Sequence, residues 1–371
     1  MMILRLACAW ASVAAFLLFG DTLLGQLGAP LPSLLIFAWL LGVIVWAAFG
    51  VVHEAEELAH RLGEPYGTLI LTLSIVIIEV ALISAVMLGA KGAPTLGRDT
   101  MFAVLMIVLN GVVGIGLLLG GLRHFSQRYN LKGATSYLAV IIPLTVIALI
   151  LPNFTTSTSD GTLNTVQAIA FSIFTLALYG VFLALQTGRH RAFFQEPEAE
   201  KKPDPRVTEP DPARDALKPA SGSVTFAVVL LLANILPIVI LAKSLAVVLD
   251  FGIARLGAPP ALGGILIAMV VFTPECIAAL RAINANQLQR AINLCLGASA
   301  STLGLTVPAV LAIGLFTGQP VVLGLSNTNM VILAMTLLLS TLTFTGTRTT
   351  MMEGAVHLSV FFVFLVLVFS P

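Results

Sequence analysis

Charge is scarce in this sequence: only 10% of its 371 residues are Asp, Glu, Lys or Arg, where a soluble domain has about a quarter. The formal net charge is +1, so nothing points to nucleic acid as a partner. The cysteines, Cys8, Cys276 and Cys295, lie in apolar segments without metal-ligand spacing, and neither a disulfide framework nor a zinc site is indicated. No motif of an enzyme or of a cofactor site is present, and we expect neither.

Long apolar runs dominate the sequence instead. Hydrophobic residues make up 58% of the chain, and its mean hydropathy is +1.02. We expect an all-α membrane protein, surrounded by membrane lipid, because a crossing of the bilayer needs about 20 apolar residues and many such runs are present. The eleven expected transmembrane helices lie at residues 3–26, 31–52, 65–89, 98–121, 135–152, 164–187, 223–249, 260–281, 288–315, 327–345 and 352–370.

A polar, proline-rich segment at residues 188–222 separates two apolar halves. Such a composition buries too little apolar surface to fold, so we expect a disordered cytoplasmic connector. The first apolar block lacks a small-residue cleavage site, which favours a transmembrane helix over a signal peptide. The predicted organisation is therefore an extra N-terminal helix at 1–30, a five-helix unit at 31–187, the connector, and a second five-helix unit at 223–371.

The two five-helix units resemble each other. The stretch RLGEPYGTLIL begins at Arg61 and RLGAPPALGGIL begins at Arg255, and each opens a span with one central glutamate. Glu79 follows Arg61 at nearly the same distance as Glu275 follows Arg255. An odd number of crossings per unit turns the second copy upside down, so we expect two inverted five-helix repeats.

The distribution of Lys and Arg tests this topology. With the N-terminus in the cytoplasm, fifteen basic residues fall on the cytoplasmic side and three on the outer side. This excess agrees with the positive-inside rule and places the C-terminus outside. Arg61 and its repeat partner Arg255 then lie on opposite sides, as inversion requires.

Glu79 and Glu275 need an explanation, because an ionised carboxylate at the middle of a bilayer costs about 2.5–3.5 kcal/mol. One explanation is structural, a protonated glutamate that bonds to a neighbouring helix. The other is a transport site, since inversion about an axis in the membrane plane brings equivalent mid-helix positions together. Two glutamates at repeat-equivalent positions favour the transport site.

Two facing carboxylates without a basic partner can be neutralised by a divalent cation with oxygen ligands or by two protons. Both loaded forms are neutral, whereas the empty, doubly ionised pair is costly in a low dielectric. A site that changes sides only when it is loaded exchanges one ligand for the other. The hypothesis is a cation/proton antiporter that works by alternating access.

Further oxygen ligands are available in the same spans. Pro274 lacks an N–H and frees the carbonyl of Val270, either as a cation ligand or as a simple kink. We expect Asn110 and Thr302, at similar depth in their helices, to be site residues. The nearby serines either complete the cation shell or allow close helix packing. The predicted metal ligands are Glu79, Glu275, Asn110, Ser299, Ser301, Thr302 and Val270.

Polar residues at helix ends fit two interpretations each. The acidic stretch His53, Glu54, Glu56, Glu57 and His60 is interpreted as a solvated helix end, with an entrance that gathers cations or senses pH as the alternative. Glu353 and His357, one turn apart where the last span begins, are open to the same two interpretations. Lys243, inside a span, is expected to snorkel or to pair with Asp250, with a counter-ion role as the alternative.

Several long motifs resemble a known family. They are LGEPYGTLILTLSIVIIEVALI, GRDTMFAVLMIVLNG, NLKGATSYLAVIIPL, TPECIAALRAINANQLQRAINLCLGAS and MMEGAVHL. Together they resemble the bacterial ChaA-like calcium/proton antiporters of the calcium–cation antiporter superfamily, from about residue 50 to the C-terminus. The resemblance implies ten core helices in two inverted repeats and a site with one acidic residue per repeat, on Glu79 and Glu275. It also implies calcium and protons as the transported ions, with sodium and potassium in some members.

One departure from the wider family concerns the residues before each glutamate. Relatives have Gly-Asn there, whereas this chain has IVIIE and VFTPEC, without the asparagine ligands and without a histidine after Glu275. We expect a bacterial inner-membrane antiporter that exports calcium in exchange for protons. A sodium or potassium/proton antiporter on the same scaffold is the first alternative, and a cation channel is the second.

Overall fold

A computed structural model describes residues 2–62, 66–88, 93–158, 160–197, 224–346 and 348–370. Two short strands, β1 (Gln127–Arg128) and β2 (Arg348–Thr349), pair antiparallel. The α-helices are α1 (Met2–Gly25), α2 (Pro30–Leu62), α3 (Tyr66–Met87), α4 (Leu96–Leu105), α5 (Val113–His124), α6 (Leu131–Thr145), α7 (Thr165–Thr187), α8 (Val224–Leu256), α9 (Ala261–Asn284), α10 (Leu288–Ser301), α11 (Val307–Thr317), α12 (Asn327–Thr343) and α13 (Met351–Phe369).

Wider, π-helical turns and tighter, 3-10 turns link or extend some of these helices. The π-helical turn Met106–Val112 joins α4 to α5, Thr302–Thr306 joins α10 to α11, and Val146–Ile150 extends α6. The 3-10 turns are Gln26–Gly28, Leu151–Phe154 and Arg191–Phe194. Turns of the π type often mark functional sites inside helices, and two of them lie in repeat-equivalent spans here.

Ten helical segments of the described chain are long and apolar enough to cross a membrane. The joined helices α4–α5 and α10–α11 each count as one of them. The remaining expected span, α12, is apolar but has only 17 residues. The expected fold class is confirmed: this is a multi-pass, all-α membrane protein with two five-helix repeats and one additional N-terminal helix.

Two helices are longer than the hydropathy of the sequence predicts. The second span was expected to end at residue 52, but α2 continues to Leu62, and α8 continues to Leu256. The acidic stretch of α2 consists largely of Glu, Ala and Leu, which are good helix formers, and no proline occurs between Pro32 and residue 65. Each helix has 33 residues and is about 50 Å long. Each is therefore longer than the apolar thickness of a bilayer.

Glycines bring α5 and α13 close together. A Cβ atom added at Gly354 would lie 2.5 Å from the backbone nitrogen of Leu118, and one added at Gly114 would lie 2.9 Å from the side chain of Leu358. Small residues at such crossings allow the tight helix packing that stabilises membrane bundles. This packing places the buried face of α13 against the π-helical turn that contains Asn110.

The extra helix α1 is attached to both repeats near its N-terminal end. Arg5 pairs with Glu54 of α2 at 3.3 Å, and its Nε donates to the side-chain oxygen of Asn234 of α8 at 3.2 Å. The interpretation of the acidic stretch as a solvated helix end is wrong for Glu54, whose side chain is 1% exposed. A buried carboxylate needs an ionic or hydrogen-bonded partner, and Arg5 supplies it.

The predicted connector lies only partly in the described chain. Residues 188–197 are described and include the 3-10 turn Arg191–Phe194, whereas residues 198–222 lie outside the described residues. The side chain of His60 also lies outside them.

Candidate cation-binding site

Glu79 lies in the middle of α3 and is completely buried. Its Oε2 accepts hydrogen bonds from the hydroxyl groups of Thr302, at 3.2 Å, and Thr306, at 2.9 Å. Its Oε1 is buried and has no hydrogen-bond partner in the described chain. A carboxylate of the first repeat is thus bound by hydroxyl groups of the second.

The local geometry of the α10–α11 span explains this pairing. Thr302 and Thr306 are one turn apart in the π-helical segment, so both side chains lie on the same face. Thr302 was among the predicted site residues, but Thr306 was missed. A signal for it was present in the sequence, because Thr306 lies as far beyond Glu275 as Asn110 lies beyond Glu79.

Glu275 lies in α9, in the equivalent place of the second repeat, but its surroundings differ. Its side chain is 7% exposed and borders a cavity of about 350 Å³. Both of its carboxyl oxygens are buried and lack a hydrogen-bond partner in the described residues. Three of the four carboxyl oxygens of the two glutamates are therefore unpaired.

The cavity runs from Glu275 toward one surface of the helix bundle. Glu275 and Ser301 border it, as do Thr72 and Ile75 of α3. At the surface its lining includes exposed side chains, namely Arg191, Gln195 and Arg290. The cavity therefore connects the neighbourhood of Glu275 with a basic mouth.

A short segment after α7 covers part of this mouth. The amide of Asn293 donates to the carbonyl of Phe194 at 2.6 Å, and the ring of Phe194 contacts that of Tyr137 edge to face. The Oε1 of Glu196 accepts the backbone N–H of Arg290, in the first turn of α10, at 3.2 Å. Burial raises the pKa of Glu196, although the backbone N–H groups that it binds oppose this effect.

The end of α10 links the surroundings of the two glutamates. Ser301 borders the Glu275 cavity, and the next residue, Thr302, donates to Glu79. Adjacent residues at the end of α10 thus contact the cavity of Glu275 and the carboxylate of Glu79. Helices α3 and α9 also pack directly against each other.

Asn110 is completely buried and bonds away from both glutamates. Its amide nitrogen donates to Thr336 of α12 at 2.8 Å, and its amide oxygen lies 3.1 Å from Nδ1 of His357 of α13. The structure therefore does not bring Asn110 into the carboxylate cluster. Asn110 and Thr302 were expected at similar depth in their helices, but they differ by about one turn. The residue at the same distance from its glutamate as Thr302 is Met106, and each of these two begins a π-helical turn.

Three other residues considered for the site, Ser299, Val270 and Lys243, neither border the cavity nor bond to either glutamate in the described chain. The hydroxyl of Ser299 donates to the carbonyl of Cys295 on its own helix, and neither Ser299 nor Val270 borders the cavity. Lys243 is exposed on α8 and bonds to neither glutamate among the described residues. No three His, Cys, Asp or Glu side chains of the described chain come together as a metal site.

Comparison with known proteins identifies the family. A family model described as sodium/calcium exchanger protein matches residues 32–188 and 226–370. A chain named y4hA from Sinorhizobium fredii is 40% identical over 343 residues, 92% of this chain and 90% of that protein. The sodium-potassium/proton antiporter ChaA of Escherichia coli is 38% identical over 331 residues, 89% of this chain and 87% of ChaA. The solved structure of the Ca²⁺/H⁺ antiporter protein YfkE matches the fold, with a TM-score of 0.71, 18% identity and 99% coverage of both chains.

These matches cover both repeats, and they confirm the resemblance to the calcium–cation antiporter superfamily. The protein therefore belongs to the sodium/calcium exchanger protein family and is a cation antiporter of the membrane.

Proposed function

We propose that this protein exchanges cytoplasmic calcium for protons at a site formed by Glu79 and Glu275. The observation that carries the proposal is the set of three buried, unpaired carboxyl oxygens on these two residues. A buried polar atom without a partner costs about 1–3 kcal/mol, and more when it is charged. Two carboxylates in this position therefore require a cation or protons as partners.

The charge balance favours a divalent cation. The described chain offers neither glutamate a Lys or Arg partner, so both negative charges are left for the transported ions. One calcium ion or two protons neutralise the pair equally well, and each excludes the other. Calcium prefers oxygen ligands, which the carboxylates and the hydroxyl groups of Thr302, Thr306 and Ser301 provide.

The position of the cavity suggests which side it faces. Its mouth contains Arg191 and Arg290, and the positive-inside rule assigns basic segments to the cytoplasm. We assign the N-terminus to the cytoplasm, the C-terminus to the outside, and the protein to the inner membrane of a bacterium. The arrangement then represents the state in which Glu275 is approached from the cytoplasm. Alternating access moves the helices around the glutamates so that the opposite side opens.

A second candidate function is sodium or potassium/proton exchange. It is favoured by the 38% identity to ChaA, a relative named as a sodium-potassium/proton antiporter. A single monovalent cation leaves one of the two carboxylates to be protonated or paired. The fold similarity to a Ca²⁺/H⁺ antiporter supports the first candidate instead. Transport measurements separate the two.

The test uses everted membrane vesicles with an acidified interior and a fluorescent pH probe. Calcium, sodium and potassium salts are added in turn to vesicles that contain the parent protein, Glu79→Gln or Glu275→Gln. We expect calcium to raise the internal pH in the parent and in neither variant, because each variant removes one charge and one cation ligand. Asp21→Asn, an exposed carboxylate on α1, is the matched control and should behave as the parent.

A response to sodium or potassium alone supports the second candidate. Retention of the calcium response in either glutamine variant, at equal protein level, contradicts the two-glutamate site. A calcium flux that persists without any proton gradient or proton movement indicates a channel.

A further inference from the structure

The buried histidine of α13 has no part in the proposed cation site, but it contacts Asn110, a predicted site residue that bonds to neither glutamate. His357 is completely buried, and its two ring nitrogens contact different helices. Nδ1 lies 3.1 Å from the amide oxygen of Asn110, and Nε2 lies 2.9 Å from the hydroxyl of Thr343. The amide nitrogen of Asn110 is already used by Thr336. Its oxygen must accept, so Nδ1 carries the proton and Nε2 accepts from Thr343.

The repeat symmetry relates Asn110 to Thr306, which has a different kind of partner. Its repeat equivalent, Thr306, donates to the glutamate of the opposite repeat, Glu79. Asn110 does not donate to Glu275, although Glu275 has two unpaired carboxyl oxygens. The two repeats thus have polar residues at the same spacing from their glutamates but a different set of hydrogen bonds. In transporters with inverted repeats, the two access states arise from rearrangement of one repeat against the other.

We infer that His357 is a positioning residue that holds the Asn110 amide in the state in which Glu275 borders the open cavity. In the opposite state the amide leaves His357 and donates to Glu275, as Thr306 donates to Glu79 here. Glu275 then becomes enclosed while Glu79 loses its hydroxyl partners. His357 therefore stabilises one access state and not the other.

This inference rests on the proposed exchange at Glu79 and Glu275, but its test does not depend on which cation is transported. The readout is the accessibility of the cavity to a membrane-impermeant maleimide. The reporter thiol is introduced by Ala298→Cys, on a residue that lines the cavity. The three native cysteines are replaced by alanine, and labelling is followed in vesicles of both orientations.

Two amide substitutions separate the contacts of His357. In His357→Asn the side-chain amide takes the place of Nδ1 and keeps the bond to Asn110, whereas in His357→Gln it takes the place of Nε2 and keeps the bond to Thr343. Loss of a buried hydrogen bond shifts an equilibrium by up to about tenfold. We therefore expect labelling to slow about two- to tenfold in His357→Gln, depending on how the states are populated. Labelling in His357→Asn should match that of the parent.

The same His357→Gln substitution made together with Asn110→Ala supplies the second test. If His357 acts through Asn110, the His357→Gln substitution does not change the labelling rate of a variant that already carries Asn110→Ala. Slow labelling in His357→Asn with normal labelling in His357→Gln overturns the inference, because it makes His357 a clasp to Thr343. The inference is also overturned if His357→Gln slows labelling equally in the parent and in Asn110→Ala. The two proposals can fail separately. If Glu79→Gln keeps the calcium response of the parent, the proposed function fails, whatever the labelling of His357→Gln. If Glu79→Gln loses the response but His357→Gln labels as the parent does, only this inference fails.

Discussion

The two repeats place the same pattern in two environments. Each has a glutamate in the middle of a span and a π-helical turn that begins at the same distance beyond it, at Met106 and at Thr302. Glu79 is enclosed and accepts two hydroxyl hydrogen bonds from the other repeat. Glu275 borders a cavity and accepts none. The spacing is the same, but the turn begins with a methionine in the first repeat and with a threonine in the second, so only the second repeat offers a hydroxyl donor at this position.

The difference matters because a symmetric site would be equally open or equally closed to both sides. In this arrangement one glutamate is enclosed by its hydroxyl partners while the other lies beside the open cavity. An exchanger needs such an asymmetry in each access state, with the roles of the repeats reversed between the states. The two glutamates therefore occupy repeat-equivalent positions with different surroundings.

The largest expected effect comes from comparing these glutamates with a third buried carboxylate, Glu54, which is paired with Arg5. Arg5→Met leaves Glu54 buried without its cation, and breaking one side of a buried ion pair costs about 3–5 kcal/mol. We expect the free energy of unfolding to fall by an amount of that order. Glu79→Gln and Glu275→Gln remove no ion pair, so their thermal unfolding in detergent should stay close to that of the parent.

The double variant Arg5→Met with Glu54→Gln is the control for this stability difference. It removes both charges, and we expect it to regain most of the lost stability, since the cost arises mainly from the unpaired charge. If Arg5→Met unfolds at the same temperature as the parent, the ion pair does not attach α1 to the repeats. If Glu79→Gln is destabilised as strongly, Glu79 has a structural role.

The next effect concerns the hydroxyl groups that enclose Glu79. Thr306→Val keeps the shape of the side chain and removes its 2.9 Å bond to the carboxylate. Hydrogen bonds to charged groups contribute about 1.5–3 kcal/mol, and about 1.4 kcal/mol corresponds to tenfold in affinity. We expect the cation concentration for half-maximal exchange to rise about tenfold. Transport titrations in vesicles measure it.

Thr317→Val is the matched control for Thr306→Val. The hydroxyl of Thr317 donates only to a carbonyl of its own helix, at an exposed position, so its loss should leave the titration unchanged. Equal titrations for Thr306→Val and the parent would show that the hydroxyl groups around Glu79 do not contribute to cation binding.

Much of the candidate site can be proposed from the sequence alone. Glu79 and Glu275 are identified by the cost of an intramembrane carboxylate and by their repeat-equivalent positions, which do not depend on tertiary structure. Thr302 is found by its position in the span after Glu275. Thr306 has a comparable signal, since its distance from Glu275 equals that of Asn110 from Glu79. A threonine in an apolar helix is ordinary, however, and only its direction toward Glu79 distinguishes it.

The partners of Asn110 and Glu54 were not predictable in this way. Asn110 has the right residue type and spacing for a ligand, yet its amide is bound by Thr336 of α12 and His357 of α13, which come much later in the chain. Glu54 lies in a stretch that has the composition of a solvated helix end, yet it is buried and paired with Arg5 of the extra helix α1. The apolar pattern of a sequence locates a helix, but it does not give the neighbour of each side chain.

A smaller effect is expected from the two serines of α10, which differ in their relation to the cavity. Both are buried and donate to a carbonyl of their own helix, but of the two only Ser301 also borders the cavity beside Glu275. Ser301→Ala removes one neutral oxygen from the shell of the cation, so we expect its half-maximal concentration to rise about threefold, as for a single weak hydrogen bond. Ser299→Ala should leave it unchanged. Equal shifts for both variants would indicate helix packing rather than coordination.

The smallest expected effect concerns Lys243. It tests whether a positive charge from this residue causes the difference between the surroundings of Glu79 and those of Glu275. Lys243 is the one basic residue expected inside a span, and it is exposed on α8 without a bond to either glutamate in the described chain. Its long apolar stem lets the ammonium group reach the membrane surface. Lys243→Met should therefore leave both the calcium response and its half-maximal concentration unchanged. A large loss of exchange in this variant would mean that Lys243 neutralises one carboxylate during the cycle, and a monovalent cation would then balance the charge of the other.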